Sequence, residues 1–134
     1  MTGFPMKIVT PDGLLFDGTA EELIVRSTSG DIGILAGHIN CVAPLGMGQA
    51  TLVIDGQKRY AACIGGMVSV VNGSVTLVPT TFEWADKIDV ERAEASQQRA
   101  QAILSNKTST DTDIRLAEAR LKRALVRKGV ANQK

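Results

Sequence analysis

The chain has 134 residues, enough for one domain with an appendage but short for two full hydrophobic cores. Its net charge is +1 and its aromatic residues are three Phe, one Trp and one Tyr, which argues against a nucleic-acid-binding protein. No apolar run approaches the roughly 20 residues of a membrane span, and the first six residues do not resemble a secretory signal. We therefore expect a chain that stays in a cytosol-like compartment.

Short strands separated by turns are predicted at the start of the chain. Polar and apolar residues alternate there, and this period of two is typical of strands buried on one face. Pro11-Asp12-Gly13 has the composition of a tight turn, because Pro presets φ and Gly accepts positive φ. The predicted strands are Lys7–Thr10, Leu14–Asp17 and Glu22–Ser27.

A glycine-rich segment, Ser29–His38, comes next. It places three glycines within an apolar strand pattern, and isolated Gly in a strand indicates a bulge or a close backbone approach. The polar residues Asp31 and His38 lie beside these glycines. The segment is therefore a candidate contact loop.

Two hairpins are predicted in the following stretch. Asp55-Gly56 and Asn72-Gly73 are strong two-residue turn signals, and each joins two alternating runs. No helical pattern intervenes, so the strands should form a β-sandwich or flattened barrel of about ten short strands. The four runs are Gly48–Ile54, Gln57–Ile64, Met67–Val71 and Ser74–Pro79.

The two cysteines, Cys41 and Cys63, both lie inside apolar runs. We expect each to be a small buried hydrophobic residue. A disulfide is poorly supported in a reducing compartment, and a zinc site would have to recruit His38 and Asp31 without any paired C-x-x-C spacing. No metal site is predicted.

The pattern changes at Thr80–Ala93, after which apolar residues recur at steps of three and four and predict amphipathic helices. Asp89 is the expected N-cap of the first helix. Ser105–Thr110 is the expected turn between the helices, and Thr110 to Asp113 resembles a capping box. We therefore divide the chain into a β domain, residues 1–85, and a helical arm, residues 86–134.

The two predicted helical stripes depend on Ala more than on larger residues. Alanine favours helix but buries little area, and isolated helices of this length are marginal in water, so the arm could fold back or lie along a partner. The first stripe is Val90, Ala93, Ala100 and Leu104, interrupted by Gln97. The second stripe is Ile114, Ala117, Leu121, Ala124 and Leu125.

Four segments of the chain, taken together in this order and spacing, indicate a family far more specifically than any one of them alone. They are Lys-Ile-Val-Thr-Pro-Asp-Gly at 7–13, Gly-Asp-Ile-Gly-Ile-Leu-Ala-Gly-His at 30–38, Ile-Gly-Gly-Met-Val-Ser-Val at 64–70 and Ile-Asp-Val-Glu-Arg-Ala at 88–93. With the helical tail that follows, they resemble the epsilon subunit of the bacterial-type rotary ATP synthase over almost the whole chain. The family's fold, a β-sandwich with a C-terminal helical hairpin, agrees with the residue patterns.

The resemblance implies a non-catalytic central-stalk subunit of a proton-translocating ATP synthase, on the cytoplasmic face of the bacterial membrane. Its implied partners are the gamma subunit, the c-ring and the alpha and beta catalytic subunits, with membrane association only through the complex. The ring-contacting loop would be the one around Asp31 and His38. The arm would inhibit ATP hydrolysis, and its implied inhibitory basic residues are Arg120, Lys122, Arg123, Arg127 and Lys128.

The resemblance also implies a regulatory ATP site, with no required cofactor and no need for Mg²⁺. The matching positions are Glu83, Ile88, Asp89, Arg92, Ala93, Arg99, Arg123 and Arg127. The spacing of the arginines is compatible with this role, since residues seven or four apart share a helix face and guanidinium groups suit polyphosphates. Surface arginines are also commonly solvated or paired with acidic neighbours, and an Asp before a helix is commonly only a cap.

Two other function classes remain open from the residues alone. One is a β-sandwich adaptor whose helical hairpin docks in a partner's groove and which is unrelated to ATP synthase. The other is an enzyme, which is disfavoured because the sequence has no Walker loop, no G-x-S-x-G, no H-E-x-x-H and a single His.

Overall fold

The computed structural model describes residues 2–133, which form a β-sandwich followed by two packed helices. Ten strands, a short 3₁₀ helix and two α-helices follow in chain order, so the predicted fold class is confirmed. The strands are β1 (Phe4–Thr10), β2 (Gly13–Ala20), β3 (Glu22–Ser27), β4 (Gly30–Ile34), β5 (Cys41–Pro44), β6 (Met47–Ile54), β7 (Gln57–Ile64), β8 (Met67–Val71), β9 (Ser74–Val78) and β10 (Thr81–Trp84). The 3₁₀ helix is Ala85–Lys87, α1 is Val90–Ser105 and α2 is Asp111–Ala131.

Each of the two sheets has five strands. One has the order β2-β1-β9-β8-β5 and the other the order β10-β7-β6-β3-β4. Neighbouring strands are antiparallel except for β1 and β9, which are parallel. β1 and β2 extend beyond the predicted Lys7–Thr10 and Leu14–Asp17, because Phe4–Met6 continue to pair with Gly18–Ala20.

The two predicted hairpin turns are present. Asp55 and Gly56 have φ values of 53° and 75°, and Asn72 and Gly73 have φ values of 49° and 83°. Positive φ at both central residues is the signature of a type I′ turn, whose twist matches that of the flanking strands. The turns therefore fix the register of β6 with β7 and of β8 with β9.

The sandwich core lies between the two sheets. Alternate residues of each strand face it, as in β3, where Leu23 and Val25 are fully buried while Arg26 is exposed. The largest fully buried side chains include members from both sheets, so each sheet covers the apolar face of the other. Those that lie on strands are Met6, Ile8, Leu23, Val25, Ile34, Leu52, Val68, Val70 and Leu77.

Trp84 packs against this core from the end of β10. Its ring meets that of Phe82 edge to face, with centroids 5.0 Å apart. The guanidinium carbon of Arg59 lies 3.7 Å from the centroid of the same indole, a distance typical of a cation–π contact. Trp84 thus belongs to the β domain and is held there on two sides.

Both cysteines are free, and the expectation of burial holds fully for one of them. Cys63 on β7 is buried in the sandwich core, whereas Cys41 on the edge strand β5 is half-buried. Burial raises the pKa of the Cys63 thiol to about 12, because the apolar surroundings disfavour the thiolate.

Both helices begin with the predicted caps. Asp89 is the N-cap of α1, and its Oδ1 accepts from the backbone N–H of Arg92 at 3.0 Å. At the start of α2, the Thr110 hydroxyl accepts from the Asp113 N–H at 3.1 Å and the Asp113 carboxylate accepts from the Thr110 N–H at 3.2 Å. This is the reciprocal capping box, with Asp in the place of Glu.

The helices pack on each other through small side chains. Ala93 and Ala100 of α1 and Ala117 and Ala124 of α2 are buried. The predicted stripes were wrong at their ends, since Val90 and Leu125 are 42% and 49% exposed. Those positions lie at the margin of the buried face, where a stripe drawn from spacing alone is least exact. Neither helix is long and apolar enough to span a lipid bilayer, among the residues described.

Candidate functional site: a cavity between the sandwich and the helical arm

A cavity of about 690 Å³ opens where β10, the 3₁₀ helix and both α-helices meet. Residues from each of these elements contribute to it, so it exists only while the arm is folded against the sandwich. Its lining residues are Thr81, Glu83, Lys87, Asp89, Arg92, Ala93, Ser96, Arg99, Arg120, Arg123 and Arg127.

The lining is strongly cationic. Six of its side chains are Lys or Arg and two are Asp or Glu, and six minus two leaves a formal excess of four positive charges. The whole chain carries a net charge of only +1, so this excess is local. Like charges gathered in a partly enclosed space raise each other's energy, and a polyanion would relieve that repulsion.

Glu83 reaches the cavity because of strand alternation in β10. Phe82 and Trp84 face the sandwich core, so Glu83 points to the outer face of its sheet, where the arm lies. There its Oε1 accepts from Nε of Arg127 at 2.6 Å, with both side chains about one-third exposed or less. This ion pair joins the sandwich directly to α2.

The residues of the Ile-Asp-Val-Glu-Arg-Ala segment at 88–93 lie in two different environments. Asp89, Arg92 and Ala93 line the cavity, as does Arg99 two turns later. Ile88, predicted as a ligand-binding residue, is instead 7% exposed and packs in a separate apolar cluster with Ala62, Ala85, Val130 and Ala131. Its contribution in the folded arm is therefore packing.

The five basic residues of α2 that were predicted to inhibit lie in three different environments. Arg120, Arg123 and Arg127 line the cavity, since steps of three and four place them on one helix face. Lys128 donates to α1 instead. Lys122 is exposed to solvent.

The glycine-rich loop lies away from this cavity, and its two predicted contact residues have local partners. Asp31 on β4 pairs with Arg26 across the hairpin, with Nε and Oδ1 3.2 Å apart. His38 Nδ1 donates to the Ile39 carbonyl oxygen at 2.8 Å. Leu35 and Ile39 beside it are 52% and 77% exposed, so the loop presents apolar side chains to solvent.

Four lining residues were not among the predicted ligand-binding positions. Ser96 had a usable signal, because it lies between Arg92 and Arg99 at steps of four and three and so shares their helix face. Arg120 had the same signal relative to Arg123, but it was assigned only to the inhibitory basic set. Thr81 and Lys87 had no such signal, since they enter through the path of β10 and the 3₁₀ helix.

Comparison with known families assigns the chain along nearly its whole length. Residues 3–85 match the beta-sandwich domain of the ATP synthase delta/epsilon chain, and residues 86–132 match the long alpha-helix domain of the same chain. The chain belongs to the ATP synthase delta/epsilon chain family. The resemblance inferred from the sequence is therefore confirmed, and an adaptor unrelated to ATP synthase is excluded.

Individual relatives agree with this assignment. The ATP synthase epsilon chain of Bacillus velezensis is 49% identical over 126 residues, covering 94% of this chain and 95% of the relative. That of Ruminococcus albus is 44% identical over the full length of both chains. That of Bacillus subtilis is 51% identical over 110 residues, covering 82% of this chain and 83% of the relative.

Solved structures of ATP synthases contain the same fold. A chain of the Euglena gracilis mitochondrial ATP synthase, in a complex described as OSCP/F1/c-ring, superposes with a TM-score of 0.84 at 20% identity, covering 100% of this chain and 83% of that one. A chain of the Tetrahymena thermophila mitochondrial ATP synthase central stalk and c-ring gives a TM-score of 0.62 at 14% identity, covering 95% of each chain. At these identities the likeness concerns the fold.

Proposed function

We propose that this ATP synthase subunit is a non-catalytic regulator of the central stalk, on the cytoplasmic face of the membrane. The sandwich couples the gamma subunit to the c-ring, and the arm inhibits ATP hydrolysis by the alpha and beta catalytic subunits. ATP in the cationic cavity holds the arm against the sandwich and so withdraws it from the catalytic subunits. The observation that carries this proposal is the cavity itself, because its walls come from both the sandwich and the arm.

The proposed ligand class follows from charge and size. A cavity of about 690 Å³ is within the range of small-molecule sites, and its four excess positive charges suit a polyphosphate without a bound Mg²⁺. Guanidinium groups bind phosphate oxygens in a two-pronged manner, and Arg supplies five of the six cations. A singly charged anion would leave most of the repulsion between these groups uncompensated.

The two carboxylates of the cavity suit the nucleoside part of the proposed ligand. Glu83 and Asp89 accept hydrogen bonds, so they suit an adenine amine or ribose hydroxyl at the end of the cavity away from the phosphates. One Asp89 oxygen already caps α1, which leaves its second oxygen for a ligand.

The effect of such a ligand on the arm is bounded by mass action. A ligand that binds only the folded arm stabilises it by about RT ln(1 + [L]/Kd), roughly 1.4 kcal/mol at tenfold saturation. That is enough to shift a nearly balanced equilibrium about tenfold. The alanine-lined interface between α1 and α2 is consistent with such a balance, because it buries little apolar area.

Calorimetric titration of the isolated chain with Mg²⁺-free ATP tests the site. We expect binding to the parent chain and a loss of affinity of at least about tenfold in Arg92→Ala, because a charge-assisted hydrogen bond is worth about 1.5–3 kcal/mol. Lys122→Ala is the matched control, since Lys122 is a basic residue that does not line the cavity. No heat at millimolar ATP, or equal losses in both variants, would remove the nucleotide site.

Truncation tests the inhibitory role. A chain ending at Asp86 keeps all ten strands and lacks the helices, so we expect it to assemble while ATP hydrolysis by the complex rises. A complex that hydrolyses ATP at the parent rate after truncation would contradict inhibition by the arm, whatever the calorimetry shows.

A further inference from the structure

A second apolar cluster, separate from the sandwich core, lies where the end of α2 meets the sandwich. Val130 and Ala131 are 2% and 5% exposed and pack against Ala62 of β7 and against Ala85 and Ile88 at the base of the arm. Tyr60 and Val126 extend the same cluster. This cluster joins the arm to the β domain through apolar packing.

Polar contacts on the same turns reach both the sandwich and α1. Arg127 donates to Glu83 of β10. Lys128 donates to Gln97 at 2.7 Å and pairs with Glu94 at 2.8 Å, both on α1. Within one and a half turns, α2 therefore contacts the sandwich through apolar packing and an ion pair, and contacts α1 through a clasp on Lys128.

The rest of the arm has weaker attachments. α1 packs mainly on α2, whereas α2 contacts β6, β7 and the 3₁₀ helix. The interface between the helices is lined by alanines, and the cavity beside it collects cations that repel one another. Attachment is therefore concentrated at the last turns of α2.

We propose that Val126–Ala131 is an anchor segment that holds the arm on the sandwich, so that release of the arm begins at the end of α2. Detaching it from the sandwich removes the apolar cluster and the Arg127–Glu83 pair together, while the contacts of Lys128 keep the segment on α1. Once those contacts are lost, less apolar packing remains to offset the repulsion among the cations of the cavity. This inference rests on the proposed function for the biological use of release, but the anchoring itself is a property of the isolated chain.

The test compares Val130→Asp with Leu125→Asp in the isolated full chain without nucleotide. Both place a carboxylate on the same helix, but Val130 is buried at the sandwich and Leu125 is 49% exposed. We expect amide exchange in the last turns of α2 to be at least about tenfold faster in Val130→Asp, since a buried unpaired carboxylate costs several kcal/mol. The ring signals of Tyr60, the chain's only Tyr, should shift in the same variant.

The exchange rates of the strand amides in β6 and β7 show whether only the arm has detached or the sandwich has also unfolded. We expect them to remain slow in Val130→Asp and Leu125→Asp, and we expect Leu125→Asp to leave the Tyr60 signals unchanged. Should Val130→Asp unfold the whole chain, Ala131→Asp at the last turn gives a second reading. Unchanged Tyr60 signals in both anchor variants, or loss of the strand protection in both, would overturn the proposal. Because no ATP is present, either result is independent of the nucleotide site.

Discussion

The sandwich and the helical arm bury side chains of different size. Leu52 and Leu77 are among the fully buried residues of the sandwich, whereas the buried residues between the helices are alanines such as Ala100 and Ala124. Free energy of burial scales with apolar area, so each sandwich contact contributes several times more than each contact between the helices. The comparison indicates a β domain that is stable by itself and an arm whose position depends on a few additional contacts.

Charge sharpens the difference between the two regions. The sandwich core contains apolar side chains, while the arm folds over a cavity lined by six cations. Packing stabilises the first region, and electrostatic repulsion destabilises the folded form of the second until an anion or a partner neutralises it. A change in anion concentration should therefore shift the position of the arm long before it changes the stability of the sheets.

The largest expected effect comes from a substitution that leaves a cavity in the sandwich core. Leu52→Ala should lower the free energy of unfolding by about 2–5 kcal/mol, because it leaves a cavity between the sheets. Scanning calorimetry of the isolated chain measures the change. Leu116→Ala is the control: Leu116 is 62% exposed on α2, so its replacement should cost less than about 0.5 kcal/mol. Equal effects would mean that the sandwich is not the more strongly packed region.

A smaller effect is expected from weakening the arm alone. Thr110→Ala removes the hydroxyl that accepts from Asp113 N–H and should destabilise α2 by about 1 kcal/mol. Amide exchange should rise in the first turn of α2 and stay unchanged in the strands. Thr112→Ala, at the second position of the same helix, should instead stabilise α2 slightly because Ala has the higher helix propensity. Faster exchange of the strands in Thr110→Ala would contradict the independence of the two regions.

The smallest effect concerns the pH dependence of the sandwich. The pKa of Cys63 is raised from 9.0 to about 12 by burial, so above pH 9 the unfolded chain loses a proton that the folded chain keeps. Stability from this group is complete below pH 9 and is lost progressively as pH rises toward 12. Denaturant midpoints measured between about pH 8 and about pH 10.5 should fall more in the parent chain than in Cys63→Ala. A parallel fall in both would show that Cys63 is not the titrating group.

Local sequence signals predicted the sandwich well because its strands are buried on one face. The alternation in Glu22–Ser27 agrees with the burial observed along β3. Asp55-Gly56 and Asn72-Gly73 gave the correct turns, since only a few residue types tolerate their positive φ. The lengths of β1 and β2 were underestimated because the two strands continue to pair with each other at Phe4–Met6 and Gly18–Ala20, beyond the part where alternation was clear.

The candidate site was less predictable because it is assembled from four elements. Spacing could indicate that Arg92 and Arg99 share a face, but not that Ile88 would pack away from them. Gln97 interrupts the first helical stripe because Lys128 of α2 reaches it, a contact between residues 31 apart. Helix periodicity describes which residues share a face and carries no information about what that face meets.

The position of the single Trp has a practical consequence. Arg59 and Phe82 enclose Trp84 on the sandwich side of β10, while the neighbouring Glu83 faces the helices. Its fluorescence emission should therefore follow the integrity of the sheets, whereas far-UV circular dichroism near the helical minimum should follow the helices. Opening of the helical region and unfolding of the sheets can then be observed as separate spectroscopic transitions in one unlabelled sample.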